Sequence, residues 1–240
     1  HSQLLSETEE LINKITDLTI TNETHILSKK RSKDKDTGDI ITIKSNEYIG
    51  LLELNNSDID KTYQVMLLNS HNKIRAATLM LYKTLKICEN GMLLIIGQEN
   101  VHKRMHTRHI QGDIDNNLTN TITDFVSEIE GNIKYDDDVI KYLQCETLSE
   151  ETKDHFIMQS IRDDTINLTR AKYVDEEYYD PSTIHPGINN SPYQLLMAYT
   201  HVLKDVETFR RIKLLTKLNR QFNEMLIPDN ILQIVNEGSY

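Results

Sequence analysis

Three histidines within residues 101–109 have the spacing that a metal site on a helix requires. His102, His106 and His109 follow one another at i, i+4 and i+7, so a helix would carry all three imidazoles on one face. Three protein ligands with an open fourth position are typical of catalytic zinc sites. A metal-assisted or nucleic-acid-processing enzyme that uses these histidines is therefore the alternative function.

The cations interleaved with these histidines argue against a metal. Lys103, Arg104 and Arg108 would repel a metal ion, and no carboxylate nearby in the sequence offers a partner for each imidazole ring. We therefore predict no metal and interpret this segment as exposed basic surface. Binding of phosphate or nucleic acid by Lys103, Arg104 and Arg108 is the functional alternative.

Residues 113–124 place oxygen-bearing side chains at positions 1, 3, 5 and 12 of a possible calcium loop. Position 6 is Leu118, where the sharp turn of such a loop requires glycine, and position 12 is Asp124 rather than a bidentate glutamate. The acids at 113–115 more simply cap a following helix. We expect no calcium site.

A dense basic stretch lies near the C-terminal end of the chain. Residues 132–180 carry a net charge of about −7 and residues 191–226 about +3 by residue count. These two segments can pair inside the fold; otherwise the basic stretch is a docking face for an acidic partner or phosphates. The predicted partner-binding residues are Arg210, Arg211, Lys213, Lys217 and Arg220.

Composition excludes several classes of protein. The chain has 240 residues, a formal net charge of −10 and two cysteines, Cys88 and Cys145, which we expect to be reduced. No apolar run approaches the length of a membrane span. Glycine-rich phosphate-binding motifs and the common hydrolase motifs are absent, so we expect no cofactor. We therefore predict an acidic intracellular protein, nuclear or cytoplasmic.

The N-terminal half mixes helix and strand patterns. Ser6 and Glu9 form a capping box ahead of an apolar helical face. Residues 40–43 and 48–54 predict a small hairpin around polar residues 44–47, although the second arm could equally be a helix capped by Ser45. A helical stretch is predicted from Ser57 to Gly91, with a pause near residues 69–72. Residues 92–96 form an all-apolar run that favours a central strand.

The C-terminal half predicts helices throughout. One apolar face ends at Gly131, Ser149 caps another helix, and residues 173–190 form the longest irregular segment. The acidic, tyrosine-rich residues 175–181 within it predict a solvated loop, or alternatively a recognition or phosphorylation element. Ser191 and Pro192 begin one long helix that ends before Pro228. Its apolar stripe, which includes Val202, Val206 and Phe209, is predicted to be buried against residues 116–171.

The combined patterns predict an α+β fold that is predominantly α-helical. We expect seven or eight helices, a small hairpin or short sheet in the N-terminal half and a long C-terminal helix. Residues 1–240 are predicted to form a single domain, with a possible sub-domain boundary near 112–115 or within 174–190. The predicted function is a non-catalytic protein-interaction domain or subunit of a larger intracellular assembly, with another protein chain as partner in a hetero-complex and nucleic acid as a secondary possibility.

Overall fold

A computed structural model describes residues 2–33, 40–55, 61–70, 77–85, 91–93, 102–105, 114–183 and 189–228. The contacts divide the chain into two compact units. The first comprises His1–Ser57, Tyr63–Leu81 and Val101–Ile129, and the second comprises Asp58–Thr62, Tyr82–Asn100 and Glu130–Tyr240. The prediction of a single domain over residues 1–240 stays a prediction.

The first unit combines helices with an antiparallel sheet. Helix α1 (Ser2–Ile15) is followed by strands β1 (Ile20–Lys33), β2 (Ile40–Leu54), β3 (Lys61–Ser70), β4 (Ala77–Leu85) and β6 (His102–Met105), and by helix α2 (Ile114–Ser127). The first two residues of β3 and residues 82–85 of β4 belong to the second unit. Strands β1 to β4 are neighbours in this order, and β6 pairs with β4. Leu5 and Ile12 of α1 are buried, and α1 contacts α2.

The hairpin predicted within residues 40–54 is instead a single strand. Strand β2 pairs antiparallel with β1 on one side and with β3 on the other. In the pairing with β1, Tyr48 lies opposite Leu27 and Lys44 lies opposite Lys29. Residues 45–47 therefore form a register irregularity within the strand rather than a turn between two strands. Ser6, the predicted helix cap, lies inside α1, because the helix already begins at Ser2.

The helix predicted from Ser57 to Gly91 is wrong where the structure describes this range, because residues 61–70 and 77–85 form β3 and β4. Tyr63 and residues 65–68 of β3 are buried, as are residues 79–83 of β4. Consecutive buried residues mean that both faces of a strand are covered, and such a strand has neither the alternation of a half-exposed strand nor a helical period. The predicted strand at 92–96 is described only as β5 (Gly91–Leu93), an end strand paired with residues 82–84 of β4.

The second unit is mainly helical. It contains α3 (Ile129–Cys145), α4 (Glu150–Arg162), α5 (Leu168–Tyr179), α6 (Pro192–Leu203) and α7 (Thr208–Met225), together with β5 and the end of β4. The predicted caps are confirmed: the amide of Thr152 donates to Ser149 Oγ at 3.2 Å, and the amide of Gln194 donates to Ser191 Oγ at 3.1 Å. These caps satisfy amides that the first helical turn leaves without partners.

Two predictions for this half are corrected. Gly131 lies near the start of α3 rather than at a helix end. Helix α5 covers residues 175–179, for which the sequence predicts a loop, and Tyr178 is buried.

The long helix predicted from Ser191 divides into α6 and α7. The Glu207 carboxylate accepts from the amide of Arg210 at 3.0 Å and caps α7, and the Arg211 guanidinium donates to the Lys204 carbonyl oxygen at 2.9 Å beyond the end of α6. No glycine or proline marks the break.

An aromatic cluster forms the centre of the second unit. The ring of Phe156 contacts those of Phe222 and Tyr199 edge to face, with centroids 4.7 and 5.7 Å apart, and all three side chains are fully buried. The Tyr199 hydroxyl donates to Ser160 Oγ at 2.7 Å, and Gln221 Nε2 donates to the Phe156 carbonyl oxygen at 2.7 Å. Burial raises the pKa of Tyr199, although the hydrogen bond to Ser160 opposes that shift.

The stripe predicted to be buried is only partly so. Val206 is buried, Val202 is half-buried, and the side chain of Phe209 lies outside the described residues. The fold class is confirmed as α+β and predominantly helical, with seven helices among the described residues and the sheet in the N-terminal half.

Candidate functional site

The alternative metal site of three histidines receives no support from the described backbone. His102, Lys103 and Arg104 lie in β6, paired with Met80, Leu79 and Thr78 of β4, so the helical face assumed for the three histidines is wrong for this part. An extended strand does not place residues at i and i+4 on a helical face. His106, Arg108 and His109 lie outside the described residues.

The segment predicted as a possible calcium loop is helical where it is described. Residues 114–127 form α2, so a loop that coordinates an ion is excluded over this range. Among the described residues, no group of three or more metal-ligating side chains is arranged to hold an ion.

The five bases predicted as a partner-binding face all lie on α7, but not all of them face solvent freely. Lys217 donates to the Asp163 carbonyl oxygen at 2.6 Å, and Arg220 lies 3.7 Å from the carboxylate of Glu224. Arg210 and Lys213 are exposed, whereas Arg211 and Lys217 are half-buried. Docking through this face stays a prediction, and its accessible cations are Arg210, Lys213 and Arg220.

Lys217→Ala is expected to lower the free energy of unfolding by about 1 kcal/mol. The Lys217 ammonium group satisfies a carbonyl at the C-terminal end of α4, where the helix dipole favours a cation. The matched control Lys213→Ala removes an exposed cation from the same helix and should change stability by less than about 0.5 kcal/mol. Urea denaturation followed by circular dichroism measures the stability of both variants. Equal midpoints for the two would contradict a stabilising role for the bond from Lys217 to the Asp163 carbonyl oxygen.

A buried ion pair lies between the end of β4 and the middle of α3. The Lys83 ammonium group contacts the Asp136 carboxylate, and both side chains are almost completely inaccessible to water. Each also has a further interaction. Since the pair is closed to solvent, we interpret it as a structural contact within the second unit rather than as a reactive site.

A second lysine organises the surface between α4 and α5. Lys153 Nζ lies 2.6 Å from Asp175 Oδ1, 2.7 Å from the Tyr179 hydroxyl and 3.2 Å from Asp154 Oδ1. Burial alone would lower the pKa of Lys153, but the bonds to Asp175, Tyr179 and Asp154 outweigh it and raise that pKa. Burial also raises the pKa of Tyr178 to about 12, against the opposing charge of Lys153. Lys153 therefore remains a cation and holds α5 against α4.

An open groove between α4 and α5 exposes apolar side chains. Met158, Leu168 and Tyr173 are 51%, 75% and 53% exposed, and they line the groove together with the buried side chains of Ile157 and Ala171. The volume of the groove is about 740 Å³. We call this surface the apolar groove; its lining residues are Asp154, Ile157, Met158, Ile161, Leu168, Thr169, Ala171, Lys172, Tyr173 and Asp175.

A second depression of about 720 Å³ lies on α5, between the end of that helix and the end of α6. We call it the acidic pocket; its lining residues are Tyr173, Asp175, Glu176, Glu177, Tyr179, Asp180, His201, Val202, Lys204 and Asp205. Five of these carry carboxylates, against one lysine. Tyr173 and Asp175 line both the acidic pocket and the apolar groove, so the two depressions adjoin.

The carboxylates of the acidic pocket differ in how far they are neutralised. Asp175 is paired with Lys153, and Glu177 accepts from the Ser182 amide and hydroxyl at 2.8 and 2.7 Å. Asp180 and Asp205 have no ion-pair partner among the residues that the structure describes, and the carboxylate of Glu176 pairs there only with the exposed Lys172, at 3.4 Å. The pocket therefore keeps an unneutralised negative charge.

Neither the apolar groove nor the acidic pocket could be predicted from the sequence. Ile157, Ile161 and Leu168 belong to one apolar helical face in the sequence, and such a pattern does not indicate which of its members a neighbouring helix will cover. The one signal that the sequence offers is the acidic, tyrosine-rich run at 175–181, and its composition predicts a loop rather than a helix.

Within the described part of the chain, no helix combines the length and apolarity needed to cross a membrane. Comparison of the chain with known protein families, with curated proteins and with solved structures gives no match.

Proposed function

We propose that the chain is a non-catalytic protein-interaction module of a larger intracellular assembly and that it docks another protein through the apolar groove. The observation that carries the proposal is that the exposed side chains of Met158, Leu168 and Tyr173 line one groove between two packed helices. Single exposed apolar residues are ordinary, but a contiguous apolar patch at a concave surface is typical of interaction sites.

The surroundings of the apolar groove support binding rather than catalysis. The titratable cluster around Lys153 is held by its own contacts with Asp175, Tyr179 and Asp154, which favours a structural role for this lysine over a catalytic one. Tyr173 and Met158 are side chains that interfaces favour, because both present large contact areas.

Replacement of the exposed apolar side chains tests this function. We expect the double variant Met158→Gln, Leu168→Gln to keep the wild-type melting temperature, because both positions are exposed and glutamine suits a helix. The same variant should lose the proteins that co-purify with the wild-type chain from an extract of the source cells. Quantitative mass spectrometry of the two purifications measures the loss.

Two further variants make this comparison specific. Ile15→Gln, Leu27→Gln changes two exposed apolar residues in the first unit and should retain all partners. Arg210→Glu, Lys213→Glu reverses two exposed cations of α7. If Arg210→Glu, Lys213→Glu loses the partners and Met158→Gln, Leu168→Gln retains them all, docking occurs at the exposed cations of α7. That result would contradict docking at the apolar groove.

A further inference from the structure

We infer that the partner segment which fills the apolar groove carries Lys or Arg residues beside its apolar side chains, so that its cations enter the acidic pocket. This inference rests on the proposed function and names the chemistry of the partner. The apolar groove supplies the apolar contacts. The negative charge of the adjoining acidic pocket favours apolar segments that also carry cations.

The two depressions are close enough for one short segment to occupy both. Helix α5 forms a wall of each, and Tyr173 and Asp175 line both. Thr169 and Leu168, at the start of α5, line the groove, whereas Tyr179 and Asp180, at its end, line the pocket. A partner that lies along α5 therefore passes from an apolar to an acidic surface within the length of this helix, about 18 Å.

The charge in the pocket is available to a partner. Glu176, Asp180 and Asp205 are exposed, and Lys204 is the one lysine in the lining. A cation that reaches these carboxylates from a bound segment gains favourable Coulomb energy. By contrast, nucleic acid or an anionic membrane would be repelled at this surface.

The net charge of the whole chain favours a different protein over a second copy. The chain has a formal net charge of −10, so two copies of it repel each other, whereas a basic partner is attracted. The inferred occupant is therefore a basic, amphipathic segment of another protein.

Selection from a random peptide display library on the 240-residue chain tests the inference, because such a library presents basic, acidic and neutral apolar segments together. We expect the enriched peptides to combine apolar residues with an excess of Lys and Arg. Each enriched peptide is then synthesised with a fluorophore, and its dissociation constant is measured by fluorescence anisotropy at low and high salt. We expect affinity to weaken at high salt, because exposed charge pairs are screened.

Three double variants separate the contributions of charge and apolar contact. Glu176→Lys, Asp205→Lys should bind the enriched peptides about tenfold more weakly, because it reverses two exposed charges of the pocket. Asp138→Lys, Glu146→Lys makes the same change in net charge at exposed positions on and just after α3 and should bind within about twofold of the wild type. Met158→Gln, Leu168→Gln should also lose at least about tenfold, because it removes the apolar contacts.

The possible outcomes distinguish the two proposals. Enriched peptides without excess Lys and Arg, or full affinity in Glu176→Lys, Asp205→Lys, overturn the inferred charge of the partner. If Met158→Gln, Leu168→Gln still loses affinity in that case, docking through the groove stands. Unchanged affinity in Met158→Gln, Leu168→Gln, or a selection that enriches no peptide, overturns the proposed function and the inference together.

Discussion

Replacement of Lys83 by methionine is expected to lower the free energy of unfolding of the second unit by about 3–5 kcal/mol. The Asp136 carboxylate that the Lys83 ammonium group contacts is completely buried, so water cannot replace the lost cation. Methionine has nearly the length of lysine, and its side chain can fill the same space without leaving a large cavity. Urea denaturation followed by circular dichroism measures the change.

Matched variants show whether the loss comes from an uncompensated charge. Asp136→Leu alone should be as destabilising as Lys83→Met, because it leaves the ammonium group buried. The double variant Lys83→Met, Asp136→Leu should recover about 1–4 kcal/mol relative to either single change, since apolar pairs often replace buried ion pairs without loss. Its recovery will be incomplete to the extent that the further interactions of the two side chains are also lost. Single variants with the same urea midpoint as the wild type would contradict the assignment of a buried ion pair between Lys83 and Asp136.

Phe156→Ala is expected to cost about 3–5 kcal/mol, because it empties the aromatic cluster at the centre of the second unit. Phe156 contacts the rings of both Phe222 and Tyr199, and its side chain is fully buried. The Tyr199 ring is held by its hydrogen bond to Ser160, so it cannot easily move in to close the cavity.

Met158 lies on the same helix and provides the control for Phe156→Ala. Its side chain is half exposed at the apolar groove, so Met158→Ala should change the free energy of unfolding by less than about 1 kcal/mol. Thermal and urea denaturation of the two variants give the comparison. A Phe156→Ala protein as stable as Met158→Ala would mean that the aromatic cluster is not the core of this unit.

Two helix starts in the C-terminal half are predicted correctly from local signals in the sequence. Ser149 and the Ser191–Pro192 pair act through backbone amides only three residues away, so neither depends on the rest of the fold. The break between α6 and α7 also arises from nearby residues, but it uses Glu207 as a cap and Arg211 as a donor to the Lys204 carbonyl. Glutamate and arginine are common inside helices, so their presence in a sequence does not indicate a helix boundary.

Features that depend on distant parts of the chain cannot be predicted in this way. Strands β3 and β4 are covered on both faces, so their apolar runs resemble those of a buried helix. The pair of Lys83 and Asp136 joins residues 53 positions apart, and nothing near either residue indicates the other. The apolar groove likewise depends on which side chains of α4 and α5 the neighbouring helices leave uncovered.

Hydrogen–deuterium exchange of the 240-residue chain with and without an enriched peptide tests docking at the apolar groove most directly. Binding there predicts slower exchange in α4 and α5, which contain Met158, Leu168 and Tyr173, with no change in α1 or α2. The variant Met158→Gln, Leu168→Gln should show no such protection at the same peptide concentration. Protection confined to α7 around Arg210 and Lys213, with α4 and α5 unchanged, would contradict docking at the groove.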